Sequence, residues 1–553
     1  MKLFRAFLLL SFVFASTANS QNFKNGVVAS ANKLASQTGI EILKRGGNAV
    51  DAAVGVGFVL AVVYPTAGNI GGGGFMVISF PDGNSTTIDY REKAPYLSTR
   101  DMYLDENGEV IEDLSSFGHL AAGVPGSVAG MLYAQEKYGT MKREEILSYA
   151  IELAEKGFPM EKEIVNGLKN HKEEFSQFEG SKQLFAGDWK KGDVFIQQDL
   201  ANTLKLISQF GRDGFYKGRT ADLIVEEMKR GNGIISHKDL EDYNVIERPA
   251  LYGNYRGFEI ISMPPPSSGG ICLIYLLNIL EQFDLEGSGF KSTGILNVMI
   301  EAMRRVYADR SEFMGDADFV PVPYKTLTSK EYAKKRFSNF IPGKAGNSKE
   351  IGPGKDLIKE GDNTTHYSIA DKNGMLVSVT TTINDTYGNK VVVKDAGFLL
   401  NNEMDDFSTK PGSPNIFGLL GGYANSITPG KRPLSSMTPT IILKDGKPFM
   451  ITGSPGGGKI ITSVLQMIIN VIDYNFSLQA AIDEPRIHHQ WFPDEVFYEN
   501  GSIEKTTLKV LKDIGYSFAP IGSFGRIDAI LFNPDGSMSG YSDRRGYGEA
   551  IGY

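Results

Sequence analysis

Gly361-Asp362-Asn363-Thr364-Thr365-His366-Tyr367-Ser368-Ile369-Ala370 is the stretch on which the reading of this chain turns. Upstream of it, residues 340–363 carry Pro, Gly and charge with almost no apolar periodicity, the composition of a linker. Immediately downstream the hydrophobic period becomes two, which predicts strands at Thr365–Ala370, Leu376–Ile383, Thr440–Leu443 and Phe449–Thr452. Lys444-Asp445-Gly446-Lys447 is placed to be the hairpin turn between the last two. Helices are expected at Lys459–Ile472 and Thr506–Ile514, and final strands around Ile527–Phe532.

Working toward the N-terminus, residues 120–335 read as mainly helical. Glu144–Lys156 and Ile295–Tyr307 repeat apolar residues every three or four positions. Met263-Pro264-Pro265-Pro266-Ser267-Ser268-Gly269-Gly270 interrupts this region and is expected to be neither helix nor central strand. Strands are expected at Phe75–Phe80 and Thr86–Arg91, after the glycine cluster Gly68-Asn69-Ile70-Gly71-Gly72-Gly73-Gly74. A helix over Asn32–Lys44 stops at Gly46-Gly47. Asn48 then caps a second helix with Asp51 three residues on, and the Ala/Val/Gly run to Val63 predicts that this helix is buried. Strands and helices grouped in blocks predict a layered α/β fold with largely antiparallel sheets.

Composition narrows the function classes. Apolar residues at 41% exclude a disordered chain, and a formal charge of −8 argues against a nucleic-acid-binding surface, which needs a basic stripe. Residues 1–20 have a basic start (Lys2, Arg5), an apolar run from Ala6 to Ala15 and then small residues. This is the layout of a secretory signal peptide, cleaved after Ala18 or Ser20. No later stretch reaches bilayer-spanning length, so a periplasmic or secreted protein without a membrane span is expected. Cys272 is the only cysteine, so no intramolecular disulfide can form and the core must supply the stability.

Several familiar chemistries fail. The six histidines lack zinc-site spacing, and the adjacent pair His488-His489 is expected to be structural, since neighbouring side chains on one element point apart. There is no GxSxG elbow and no GxxxxGK[ST] loop. The glycine cluster follows a helix and opens a strand, the reverse of a dinucleotide fingerprint. Neither a metal nor an organic cofactor is called for. A threonine entering a strand is ordinarily just a strand residue; Thr364 stands out only because of the other motifs.

Seven runs occur in a fixed order: Asn69-Ile70-Gly71-Gly72-Gly73-Gly74-Phe75, Arg91-Glu92-Lys93-Ala94-Pro95, the MPPPSSGG run from Met263, Thr364-Thr365-His366-Tyr367-Ser368, Asn401-Asn402-Glu403-Met404-Asp405-Asp406-Phe407-Ser408, Arg432-Pro433-Leu434-Ser435-Ser436-Met437 and Gly453-Ser454-Pro455-Gly456-Gly457. With them the chain resembles the γ-glutamyltranspeptidases, members of the N-terminal-nucleophile hydrolase superfamily, from about residue 25 to the C-terminus. The resemblance implies an αββα sandwich of two stacked, largely antiparallel sheets flanked by helices. It also implies a precursor that cuts itself between Asn363 and Thr364, so that residues 21–363 and 364–553 form a heterodimer of large and small subunits intertwined in one globule.

The implied activity is that of a γ-glutamyltransferase and glutathione hydrolase. Thr364 is the nucleophile, with its own newly exposed α-amino group as base and Thr382 orienting it. Arg91, Ser435 and Ser436 are implied to hold the donor's α-carboxylate, and Asn384, Glu403 and Asp406 its α-ammonium; some relatives carry glutamine in place of Glu403. Gly456 and Gly457 are implied to stabilise the oxyanion through their N–H groups. Lys410–Phe417 is similar to a lid loop in which relatives often have tyrosine in place of Phe417. Donors are glutathione and other γ-glutamyl compounds; acceptors are water, amino acids or dipeptides. Two related readings remain: a cephalosporin or glutaryl acylase, whose acyl chain lacks the ammonium, and a capsule-anchoring transpeptidase with an open cleft. An exported solute-binding protein that never cuts itself is the alternative from another class.

Overall fold

The computed structural model describes residues 22–354, 365–410, 412–420 and 422–553. The signal peptide expected over residues 1–20 and the cleavage pair Asn363 and Thr364 lie outside the described residues.

Two seven-stranded sheets form the centre. One runs Glu549–Gly552, Gly26–Ser30, Thr365–Asp371, Leu376–Thr382, Gly73–Ser79, Ser85–Asp89, Ile246–Pro249; the other runs Asn22–Phe23, Met538–Ser542, Asp528–Phe532, Lys447–Thr452, Thr440–Lys444, Phe258–Ser262, Leu251–Tyr255. Among the described residues every pairing within them is antiparallel, for example Thr365 opposite Thr381 and Ile441 opposite Ile451. Strand side chains alternate between faces, and the burial pattern follows that alternation. Val27, Ala29, Val77 and Ala370 meet Ile261, Ile441, Leu443 and Ile451 between the sheets. Val28, Met76, Ile78 and Ile369 turn outward onto the helices Lys33–Lys44 and Ala49–Val63. On the far side Ile260, Ile442 and Met450 pack on the helices Gly269–Leu280, Thr293–Phe313 and Lys459–Ile472. The result is the expected four-layer αββα sandwich.

Local signals are obeyed closely. The Asn48 side chain accepts from the Val50 and Asp51 N–H groups while the Asp51 carboxylate accepts from Asn48 N–H, and all fifteen residues of the helix that follows are buried. The hairpin turn lies where Asp445 and Gly446 both adopt positive φ (51° and 72°), as a two-residue connection requires.

Three expectations need correction. Residues 246–262 are three strands inside the stretch read as mainly helical. Ile246–Pro249 and Leu251–Tyr255 are edge strands, one in each sheet, where partly exposed positions and Pro249 break the apolar alternation that would have revealed them; Phe258–Ser262 lies just inside Leu251–Tyr255. Gly269 and Gly270 open the helix Gly269–Leu280 instead of belonging to the break before it. The chain ends contribute strands that the sequence did not announce, Gly26–Ser30, Met538–Ser542 and Glu549–Gly552. Residues 343–354, read as linker, are irregular but held down. Trp491 Nε1 donates to the Ser348 and Ile351 carbonyls (3.0 and 2.9 Å), and Ser348 N–H donates to Asp494 (2.7 Å).

Asp51 ties two helices and a loop together, since its buried carboxylate also accepts from Thr140 N–H (2.9 Å), Thr140 Oγ1 (2.7 Å) and Met141 N–H. Asp51→Ala strands these donors and is expected to destabilise the protein by about 3 kcal/mol. Denaturant unfolding checks this, and a loss under about 1 kcal/mol would refute the tie.

Candidate active site

The glycine cluster folds against the ends of the two central strands. A Cβ at Gly72 would stand 2.0 Å from the Thr382 carbonyl oxygen, and one at Gly73 would stand 2.5 Å from a Glu92 carboxylate oxygen. Only glycine permits that approach. Asn69 secures the turn, accepting from Gly72 N–H (2.9 Å) and donating to the Thr382 carbonyl (2.8 Å). The segment after it, Asn401–Asp406, is stitched to the same place: Asn401 donates to the Gly71 carbonyl (2.9 Å), and Asn384 Nδ2 donates to the Asn402 carbonyl (2.9 Å).

Arg91 lies at the centre, 1% exposed, just beyond the strand Ser85–Asp89. Its Nε and Nη2 donate to the carbonyls of Pro433 (3.1 Å) and Leu434 (3.0 Å), which brings the Ser435-Ser436 loop beside it. Its Nη1 donates to Glu403 and its Nη2 to Asp406, and Glu92 stands 3.6 Å away. One guanidinium thus faces three buried carboxylates. Burial works against the charged guanidinium, but Glu403, Asp406 and Glu92 outweigh it and keep Arg91 protonated. Burial pushes Glu92 up to about 7 against the pull of Arg91, and drives Glu403 well above the ordinary carboxylate range; Asp406 is raised as well. Among the described residues, both Glu92 oxygens, Glu403 Oε2, Asp406 Oδ1 and Asn384 Oδ1 accept no hydrogen bond. Five buried acceptors are thus available to N–H groups from outside those residues.

Thr382 ends its strand, its hydroxyl accepting from Asn384 N–H (2.8 Å), and Asn384 holds a positive φ of 68°. Gly456 and Gly457 adopt φ of 123° and 67° just ahead of the helix Lys459–Ile472. Among the described residues neither of their N–H groups reaches an acceptor. Two side chains one turn apart on the helix Thr293–Phe313 link this loop to the serines. Tyr307 donates its hydroxyl to the Gly458 carbonyl, and Arg310 donates to Ser436 Oγ and to Ser268 Oγ (3.1 Å). Phe417 is half-buried on the apolar cluster that includes Leu434 and Met437, which flank Ser435 and Ser436.

Arg91, Asn384, Glu403, Asp406 and the Ser435-Ser436 loop therefore gather in one place. The Gly456-Gly457 loop joins them through Tyr307 and Arg310. Sequence reasoning gave no role to Glu92, although it follows Arg91 in the same motif. It also passed over Arg310, reading only the apolar repeat of a helix that carries Arg304, Arg305, Asp309 and Arg310, all buried. Four charged side chains in seven positions on an apolar helix was the available signal. His488 and His489 form no metal cluster among the described residues; they hydrogen-bond Thr462, Gln490 and Asp494 instead. The same residues include no helix long and apolar enough to cross a membrane.

A family model described as Gamma-glutamyltranspeptidase matches residues 35–553. The glutathione hydrolase proenzyme of Escherichia coli (strain K12) is 49% identical over 526 residues, covering 94% of this chain and 90% of that one. Among solved structures, Helicobacter pylori gamma-glutamyltranspeptidase is 48% identical with a TM-score of 0.60, covering 60% of this chain and 97% of that one. A cephalosporin acylase from Bacillus halodurans superposes over 99% of both chains with a TM-score of 0.87 at 25% identity.

An ammonium entering this cluster favours the ionised carboxylates, so binding expels protons held by Glu92 and Glu403. Affinity for a free α-amino acid such as L-glutamate is expected to rise with pH through about 7, where Glu92 loses its proton, and to go on rising while Glu403 stays protonated. Calorimetry at pH 6.5 in buffers of different ionisation enthalpy should register proton release, smaller in Glu403→Gln; proton uptake would contradict the assignment.

Proposed function

The chain belongs to the gamma-glutamyltranspeptidase family, and on that premise we propose how its residues carry the reaction. It is a γ-glutamyltransferase and glutathione hydrolase made as a proenzyme. The observation that carries the donor assignment is the orphaned acceptor set around Arg91. A γ-glutamyl donor brings an α-ammonium that Glu403, Asp406 and Asn384 can accept from. It also brings an α-carboxylate for Arg91, Ser435 and Ser436. An acylase substrate without the ammonium would leave those acceptors unpaired, a cost of about 1–3 kcal/mol for each buried group. This favours the transferase over an acylase.

Maturation begins when the Thr364 hydroxyl attacks the Asn363 carbonyl; collapse breaks the Asn363–Thr364 C–N bond, leaving an ester and a free Thr364 α-amino group, and water then hydrolyses the ester to release the Asn363 carboxylate and restore the hydroxyl. The two subunits remain one globule because both sheets are built from strands of residues 22–262 and of residues 365–552, paired side by side. In turnover the α-amine, with an ordinary pKa of about 7.7–8.0, takes the proton from its own hydroxyl as Oγ attacks the γ-carbonyl. Thr382 orients the nucleophile. The Gly456 and Gly457 N–H groups receive the oxyanion, a contribution of about 2.7–4 kcal/mol per donor. Collapse returns the proton to the departing amine, cysteinylglycine when glutathione is the donor. Water or an acceptor amine then attacks the γ-glutamyl ester, loses a proton to the α-amine, and leaves Thr364 restored. The lid loop, with Phe417 at its tip, covers the site, which fits a small donor better than a polymeric one. No step requires a metal or an organic cofactor. Export through residues 1–20 places the enzyme in the periplasm or outside the cell.

Mass spectrometry of the purified protein is expected to find a new N-terminus at Thr364. Thr364→Ala should yield one uncut chain without activity. Cleavage at another bond, or activity in the uncut variant, would overturn the nucleophile assignment.

A further inference from the structure

The loop 412–420 is a stiff flap with two backbone attachments at its tip. Internally, Pro414 bridges Leu420, Gly418 N–H donates to the Asn415 carbonyl (2.9 Å), and Asn415 Oδ1 accepts from the N–H groups of Phe417 (3.0 Å) and Leu419 (3.2 Å). Such a unit opens or closes as a body. On one side Ile416 N–H donates to Asp405 Oδ2 (3.3 Å), and the other oxygen of that buried carboxylate accepts from Ser115 Oγ (2.7 Å), a residue of the large subunit. On the other side the Phe417 carbonyl accepts from Gln490 Nε2 (3.2 Å). Gln490 is aimed by His488, whose Nε2 lies 2.9 Å from Gln490 Oε1 and whose Nδ1 lies 2.9 Å from Thr462 Oγ1. Burial holds that ring far below its ordinary pKa and therefore neutral. With Nε2–H donating, the amide NH2 of Gln490 is left to face the flap. The histidine pair that looked structural in the sequence thus supports one of the two attachments.

We propose that Asp405 and Gln490 are positioning residues that latch the flap shut by its backbone at Ile416 N–H and Phe417 C=O, and that this latch sets how the γ-glutamyl ester is partitioned between an acceptor amine and water. The inference rests on the function proposed above and deepens it. Phe417 has no hydroxyl with which to anchor the flap, so its backbone attachments supply the directional part of the closure, beside the apolar packing of Phe417 and Leu419. The donor is gripped by the Arg91 cluster beneath and does not depend on the flap. Releasing the latch therefore admits water and weakens acceptor positioning, while leaving the donor subsite as it was.

The variants are Asp405→Ala, Asp405→Asn and Gln490→Glu. Alanine removes the acceptor. Asparagine restores it, because an amide oxygen can face Ile416 N–H while its NH2 donates to Ser115 Oγ. Glutamate keeps the His488 bond but turns an acceptor toward the Phe417 carbonyl. Each matured enzyme is assayed with γ-glutamyl-p-nitroanilide, with and without glycylglycine, at pH 8. There Asp405, raised by burial to about 7 against its Ser115 bond, is ionised. Hydrogen exchange of peptides covering residues 412–420 is followed in parallel.

Asp405→Ala and Gln490→Glu are expected to raise the hydrolysis-to-transfer ratio about fivefold, the factor for one lost hydrogen bond. They should also raise the acceptor KM, leave the donor KM within about twofold, and speed exchange of the flap amides; Asp405→Asn should stay near wild type. Unchanged ratios and unchanged exchange in both Asp405→Ala and Gln490→Glu would overturn the latch, as would an Asp405→Asn enzyme that behaves like Asp405→Ala. A wild-type enzyme without γ-glutamyl transfer would instead fail the functional reading, and the exchange data would still judge the latch.

Discussion

One guanidinium buried among three carboxylates is the constraint around which this molecule is arranged. Arg91 alone cannot neutralise Glu92, Glu403 and Asp406, and a buried charge without a partner is among the most costly features a fold can carry. The protein meets that cost partly by keeping protons on carboxyl groups that would ordinarily have lost them. On the function proposed above, the remainder is relieved by the α-ammonium of a γ-glutamyl donor.

Holding that cluster needs rigid surroundings, and the two stacked sheets supply them. The strand ends at Thr382 and Asp89, the glycine turn and the Asn401–Asp406 segment approach within hydrogen-bond distance because glycines at 72 and 73 leave no side chain between them. Strands from both sides of the expected cut pair with one another within each sheet, so breaking one peptide bond would free a chain end without separating the halves. The flap is the contrasting element: its internal bonds are local, and it meets the body through the apolar packing of Phe417 and Leu419 and two backbone hydrogen bonds.

Where the sequence is periodic, its reading and the structure agree. The Asn48–Asp51 cap, the buried Ala/Val helix, the hairpin at Asp445-Gly446 and the helix Lys459–Ile472 were all legible because local chemistry alone determines them. The edge strands between 246 and 262 were not, since an edge strand with polar faces and a proline has no alternation to display. The same division holds for the site. Motifs in a family order pointed to Arg91, Asn384, Glu403, Asp406 and the serine loop, and the fold assembles them. Glu92 and Arg310 were harder to read, because their significance lies in burial; the place of Glu92 in the Arg91 motif and the crowding of charges around Arg310 were the only hints. Asp405 and Gln490 matter through backbone groups of another segment, a relation that no residue pattern encodes.

On the proposed function, the Arg91 cluster receives an amino acid's charged end in one fixed orientation. A crystal structure of the enzyme with L-glutamate tests it most directly. The ammonium nitrogen is expected within hydrogen-bond distance of Glu403, Asp406 and Asn384, the α-carboxylate against Arg91 and the Ser435-Ser436 loop, and the γ-carboxyl pointing toward Gly456 and Gly457. A ligand bound with its α-carboxylate at the glycine loop, or bound away from Arg91 altogether, would contradict it.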